Sequence, residues 1–182
     1  MIERMVKLGV TLMVVGLVAA LGLGLTYTVT RKKIEQYDKQ VEAQACRSAL
    51  PGVKSVSEIK EDKQLSSKAS RKYPDVQKVF TCAKGYIFVV QTKGFGGPLT
   101  LAVGIDRSGQ VKGMAVVTSK ETVGLGSKAL ENSYLARFRG KTVKDTLKVG
   151  EDVQAVTGAT ITSRAVTGQV RQALEAFDLI MQ

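Results

Sequence analysis

Histidine and tryptophan are absent from this 182-residue chain, and cysteine occurs only twice, as Cys46 and Cys82. Without histidine there is no Ser-His-Asp triad, no Cys-His dyad and no imidazole-ligated zinc. Two thiols cannot hold an iron–sulfur cluster within the chain, and there is no Cys-x-x-Cys-His site for haem attachment. No metal site is expected, so any redox work must sit on something other than a metal held by this chain. For the cysteines two states remain open: a disulfide in an oxidising compartment, or two unlinked thiols. Aromatic residues make up only 5% of the chain and few lie among the basic residues. A net charge of +11 first suggests nucleic acid. Scattered Lys and Arg with few aromatics point instead to anionic lipid head groups or acidic partner subunits, and no nucleic-acid role is expected.

What is present begins with a long uncharged run, Leu8 to Val29, rich in Leu, Val, Gly and Ala. It meets the roughly 20 residues needed to span a bilayer. Arg4 and Lys7 precede it; Arg31, Lys32 and Lys33 follow. A signal peptide would have a shorter apolar region of about 7–15 residues ending in a small-x-small cleavage site. Here the run continues into Thr26-Tyr27-Thr28-Val29-Thr30-Arg31 with no Ala-x-Ala. The reading is an uncleaved single-pass anchor: a tail over 1–7, a transmembrane helix over 8–30, a membrane-proximal helix over 31–52 and one soluble domain over 53–182. Arg31, Lys32, Lys33 and Lys39 outnumber the basic residues before the span, which by the positive-inside rule weakly places the large domain in the cytoplasm.

Lys33 to Leu50 reads as a helix that stops at the breaker pair Pro51-Gly52. Val53 to Val79 is polar and rich in Lys and Ser, and reads as a short strand plus an irregular surface excursion. Gly85 to Gln91 is a buried strand, followed by the glycine loop Gly94-Phe95-Gly96-Gly97-Pro98. Leu99, Leu101, Val103 and Ile105 then face Val111, Gly113, Ala115 and Val117 in a hairpin turned by Asp106-Arg107-Ser108-Gly109. A second glycine loop, Lys120 to Gly126, leads to Ser127, placed to cap a helix through about Phe138 with Gly140 beyond it. Thr142 to Val149 reads as strand or loop. Val166, Val170, Ala173, Leu174, Phe177, Ile180 and Met181 fall on one face of a terminal helix.

Just before that helix lies Val156-Thr157-Gly158-Ala159-Thr160-Ile161-Thr162-Ser163, a run of hydroxyls around a glycine and an alanine. Thr162 or Ser163 is a natural N-cap. Free amides and the macrodipole at a helix N-terminus favour an anion, so a phosphate here would be stabilised with no cationic side chain. Gly158 and Ala159 keep the approach free of bulk. Each feature alone also reads plainly, as a turn with its cap and as two connecting loops. Neither glycine loop fits a Walker A loop or a G-x-G-x-x-G fingerprint.

Together and in this order, the anchor, the loop at Gly94 before a hairpin, Lys-Glu-Thr-Val-Gly-Leu-Gly over 120–126 and Thr-Gly-Ala-Thr-Ile-Thr-Ser over 157–163 resemble a known family. The chain is similar to the FMN-binding domain proteins, specifically the G subunit of the Rnf ion-translocating electron-transport complex. The C subunit of the sodium-pumping NADH:quinone reductase is the related alternative, and the compact length favours the Rnf member. The resemblance implies an α+β fold, a twisted antiparallel sheet flanked by helices on one transmembrane helix. It implies that a flavin transferase takes FMN from FAD and joins its phosphate to the last Thr of an Asp-x-x-Ser/Thr-Gly-Ala-Thr pattern. That residue is Thr160, with Thr157, Gly158 and Ala159 matching and the stretch continuing through Ile161, Thr162 and Ser163. The Asp position holds Gln154, a departure, and Asp152 lies two residues earlier. Glu121, Thr122, Gly124, Leu125 and Gly126 match the loop that lies against the isoalloxazine ring.

The implied activity is that of a covalent-FMN electron carrier in a complex coupling ferredoxin:NAD+ electron transfer to Na+ or H+ translocation. Its implied partners are the integral membrane and iron–sulfur subunits, the maturing transferase and membrane lipid. The family places the domain on the extracytoplasmic face of the cell membrane, against the charge count. A flavin-free, membrane-anchored cationic binding module and a stand-alone surface flavoprotein remain as the other readings.

Overall fold

The computed structural model describes residues 2–53 and 55–182. Met1, at the start of the expected tail, and Lys54 lie outside the described residues. Residues up to Gln40 and from Val41 onward form two compact units. The described residues of the first are helical, the leading part of helix α1 (Ile2–Ala49). Its best 18-residue window has a mean hydropathy of 2.4 and none of it is buried, so the helix is long and apolar enough to cross a bilayer. Thr11, Thr26 and Thr28 donate their hydroxyls to the carbonyls of Lys7, Gly22 and Leu25, satisfying their polar groups within the helix, as an apolar surrounding demands.

The second unit is built on a five-stranded antiparallel meander in the order β1-β2-β3-β4-β5. The strands are β1 (Lys60–Glu61), β2 (Val76–Cys82), β3 (Gly85–Lys93), β4 (Pro98–Asp106) and β5 (Val111–Ser119). Helices α2 (Lys63–Lys72), α3 (Asn132–Leu135) and α4 (Thr160–Met181) complete it. Both faces of the sheet are covered. Phe88, Val90, Leu99, Leu101, Val103 and Ile105 point into a core with Val166, Val170, Ala173, Leu174 and Phe177 of α4. Ile87, Val89 and Ala102 point the other way, against Ala45, Cys46, Ala49 and Leu50 at the end of α1. Two buried faces explain why Tyr86 to Val90 is continuously apolar instead of alternating. The fold is α+β, as expected.

The segment expected to be mostly irregular holds a helix and a strand. Asp62 caps α2, accepting from the amides of Gln64 and Leu65 at 3.0 Å each. The helix escapes a search for apolar periodicity because it buries Ser66 and Ala69 rather than large side chains. Ser66 Oγ accepts from Val79 N at 2.9 Å and donates to the Asp62 carbonyl at 2.7 Å. Strand β2 is disguised by a register irregularity between Val76 and Lys78, which breaks the two-residue alternation. The expected helix from Ser127 to Phe138 is instead three short pieces: 3-10 turns at Gly126–Leu130 and Ala136–Phe138 around α3. Ser127 does not cap it; its hydroxyl accepts from Gly124 N at 2.9 Å and ties the loop tip back. Thr142 to Val149 is loop, with one isolated bridge from Val149 to Val153.

Both cysteines are free. Cys46 is buried, and burial first, then the Glu42 carboxylate, push its thiol up to about 12 against the opposing Lys78 ammonium. Glu42 and Lys78 themselves pair at 2.7 Å and tie the end of α1 to β2.

The hairpin turn carries a pH signature. Asp106 accepts from the Ser108 and Gln110 amides at 2.9 and 3.0 Å and pairs with Lys112 at 2.8 Å. Partial burial raises its pKa, but hydrogen bonds from Lys112, Ser108 and Gln110 together outweigh that and lower it from 3.8 to about 2. Its contribution is therefore complete above the unfolded value and is lost as pH falls through the folded one. Thermal melts in a pH series should show the wild type losing stability more steeply than Asp106→Asn between about pH 4 and pH 2.

Candidate functional site

Three segments converge on a cavity of about 340 Å³ lined by Phe95, Leu125, Gly126, Gly158, Ala159, Thr160, Ile161 and Thr162. That is within the ordinary size of a small-ligand pocket. Helix α4 enters it by its N-terminus. Gly158, at φ +80, supplies the left-handed turn that any other residue would strain to make. A Cβ built on Gly158 would meet only Leu125 Cδ2, at 3.9 Å, so backbone conformation rather than bulk selects glycine here.

The N-cap is Ala159, which has no side chain able to cap, and not Thr162 or Ser163. The turn closed by Ala159 N to the Val156 carbonyl at 2.9 Å starts the helix at Thr160, before either hydroxyl is reached. Thr162 and Ser163 are 1% and 0% exposed. Ser163 Oγ accepts from Val156 N at 3.1 Å and holds the turn from inside. The Thr162 hydroxyl is buried with no hydrogen-bond partner among the described residues, although Thr162 lines the cavity. Thr160 is exposed at the cavity wall.

The walls are apolar and unusually open for such side chains: Phe95 is 69%, Leu125 53% and Ile161 53% exposed. The loop bearing Leu125 is shaped by Gly124 at φ +82 and by the Thr122 carbonyl, which accepts from Leu125 N at 3.2 Å and Ser127 N at 3.3 Å. Earlier in the chain, Asp152 accepts from the amides of Leu147 and Lys148 at 3.0 and 2.8 Å and pairs with Lys141 at 3.3 Å. Asp152 thus holds the loop leading to Thr157, while Gln154 is exposed. Lys141 also pairs with Asp145 at 3.0 Å. The Asp145 pKa is lowered, chiefly by the Thr142 amide; against burial, that of Asp152 is lowered by the Lys148 and Leu147 amides and by Lys141.

The structure brings together Leu125, Gly126, Gly158, Ala159, Thr160, Ile161 and Thr162 of the residues expected at the site. Thr122, Gly124 and Ser163 shape its loops without lining it, and Thr157 is exposed just before the turn. Glu121 stands behind it, accepting from Phe95 N at 2.8 Å and Gly96 N at 3.2 Å. Phe95 itself is the residue the sequence reading missed; an aromatic inside a run of glycines was the available signal.

The FMN-binding domain family matches residues 94–175, from the first glycine loop into α4. The G subunit of the Na(+)-translocating ferredoxin:NAD(+) oxidoreductase complex of Acetobacterium woodii is 31% identical, over 94% of this chain and 90% of that relative. The chain belongs to this G-subunit family. The G subunit of the ion-translocating oxidoreductase complex of Vibrio cholerae is 29% identical over 96% of this chain and 91% of its own. Its counterpart in the proton-translocating ferredoxin:NAD(+) oxidoreductase complex of Clostridium ljungdahlii is 40% identical, over 50% of this chain and 51% of the relative. Among solved structures, the C subunit of the Na(+)-translocating NADH-quinone reductase of Parabacteroides distasonis has the same fold, with a TM-score of 0.57 at 18% identity, covering 81% of this chain and 95% of that one.

For a member of the G-subunit family the cavity fits an FMN group on its own chemistry. A helix start without a side-chain cap and an unpartnered buried hydroxyl suit a phosphate. Three exposed apolar side chains suit the faces of a fused aromatic ring.

Proposed function

We propose that this G-subunit family member is a membrane-anchored electron carrier with FMN joined covalently to Thr160. It works within a complex that couples electron transfer between ferredoxin and NAD+ to translocation of Na+ or H+. The observation that carries the reading is the pairing of an exposed Thr160 with an uncapped helix N-terminus at the mouth of an apolar cavity. In maturation by a flavin transferase, Thr160 Oγ forms the ester bond to phosphorus while the pyrophosphate bond of FAD breaks. AMP leaves, the hydroxyl proton passes to solvent, and no electrons change hands. The amides at the start of α4 would hold the phosphate, and Phe95, Leu125 and Ile161 would offer apolar surface to the ring. The bound flavin supplies the redox chemistry; the protein fixes its position and potential.

In the same reading, residues 1–7 form a short tail, 8–30 cross the cell membrane once, 31–52 form the membrane-proximal helix and 53–182 the FMN domain. The domain lies on the extracytoplasmic face, where a lost cofactor would not readily be replaced and covalent attachment is an advantage. Lipid and the integral membrane and iron–sulfur subunits are its partners.

Co-expression with a flavin transferase, followed by a denaturing gel under ultraviolet light, tests the reading: a fluorescent band at this chain's mass supports it, and a dark one removes it. Gln154 gives a finer test. Because Asp152 is occupied by two amides and Lys141, it is not free to serve a transferase. Gln154→Asp is expected to preserve or increase labelling, read as fluorescence per unit protein; a strong decrease would mean that Thr160 is not the end of the motif.

A further inference from the structure

Among the described residues, the carboxylate of Glu121 is the side chain that bonds the second glycine loop to the first. Its Oε1 accepts from Phe95 N at 2.8 Å and its Oε2 from Gly96 N at 3.2 Å. The surrounding glycines are cut to its shape. A Cβ on Gly94 would lie 2.0 Å from Oε1, and one on Gly126 would lie 2.0 Å from Oε2. A Cβ on Gly96 would lie 2.2 Å from the Lys120 carbonyl, so the two loops also touch backbone to backbone. The glycines at 94, 96 and 126 therefore make room for a carboxylate and for loop contact. The same carboxylate anchors the backbone of Phe95, whose ring is 69% exposed and lines the cavity.

From this we infer that Glu121 is a positioning residue: it does not touch the cofactor, but latches the Gly94–Pro98 loop so that the Phe95 ring forms a fixed wall against the flavin. The inference rests on the flavin reading above for its second half; the latch itself stands on the hydrogen bonds. A carboxylate accepts at both oxygens, and bonds to an ionised acceptor are the stronger class. Gln at 121 keeps the size but offers one acceptor and turns an NH2 donor toward an amide donor. Glu121→Gln thus breaks one of the two bonds and sets two donors against each other, weakening the latch with little change of volume.

The test uses the full-length protein, matured with transferase and unmatured, in wild type, Glu121→Gln, Phe95→Ala and the double variant. Amide hydrogen exchange at Phe95 and Gly96 of the unmatured chain is expected to rise about tenfold or more in Glu121→Gln, with the β3 and β4 core unchanged. In the matured chain, the visible circular dichroism of the flavin is expected to fall in Glu121→Gln and in Phe95→Ala by similar amounts. The double variant should fall no further. Unchanged exchange at 95–96 overturns the latch. Faster exchange with an unaltered flavin signal overturns the positioning role. A wild-type chain without flavin overturns the function proposed above, while the exchange arm still decides whether Glu121 holds the loop.

Discussion

Thr160→Ala, co-expressed with a flavin transferase, is expected to yield a folded chain that keeps no flavin through denaturation. The side chain is exposed on the first residue of α4, and nothing in the core leans on it. Surface changes of this kind usually shift stability by no more than about 0.5 kcal/mol, and alanine is the better helix former. The melting temperature should therefore stay level or rise slightly while labelling disappears. No neighbour can substitute readily. Thr162 and Ser163 are 1% and 0% exposed, and Ser163 is already bonded to Val156 N. Thr157 is exposed but precedes the turn at Gly158, away from the cavity lining. Thr160→Ser keeps a hydroxyl at the same place and is expected to retain labelling. Full labelling of Thr160→Ala, read by in-gel fluorescence, would mean that the attachment residue lies elsewhere.

Gly104→Val is expected to damage the fold severely. Gly104 of β4 pairs with Gly113 of β5, and the two make the seat for the last turn of α1. A Cβ on Gly104 would lie 2.3 Å from the Ala49 carbonyl oxygen and 2.7 Å from its carbon; one on Gly113 would lie 2.7 Å from the same oxygen. These are backbone atoms and cannot rotate aside, so the helix end must lift and expose the face formed by Ile87, Val89 and Ala102. Overpacking commonly costs about 1–3 kcal/mol, and a clash with backbone belongs at or above the upper end. At roughly 2–4 °C per kcal/mol for a unit of this size, the melting temperature should drop by about 6–12 °C. Gly168→Ala is the control of opposite sign. It lies inside α4 with nothing within 4 Å of the place an added methyl would take, and should stabilise by up to about 1 kcal/mol.

Where apolar side chains carry an element, its pattern announced it. The faces of α4 and of the β4–β5 hairpin follow periods of 3.6 and 2 because each has one large buried surface. The long apolar run in α1 is equally plain. Elements held by small or polar groups were hidden: α2 buries Ser66 and Ala69, and β2 carries a bulge that puts Val76 and Val79 out of step. At the candidate site, Thr160 and its neighbours were singled out through the order of motifs along the chain, not through their local physics. Local physics placed the cap at Thr162 or Ser163, whereas the turn at Gly158 starts the helix earlier and leaves its first amides without a side-chain cap. Phe95 and the acceptor role of Glu121 depend on two loops 25 and 26 residues apart meeting in space, which no local pattern encodes.

Peptide mass spectrometry of the matured chain tests the central claim most directly. The account predicts that the intact chain gains the mass of one FMN less one water, and that fragmentation places the whole gain on Thr160. A gain on any other residue, or flavin that is released when the chain is denatured, would contradict it.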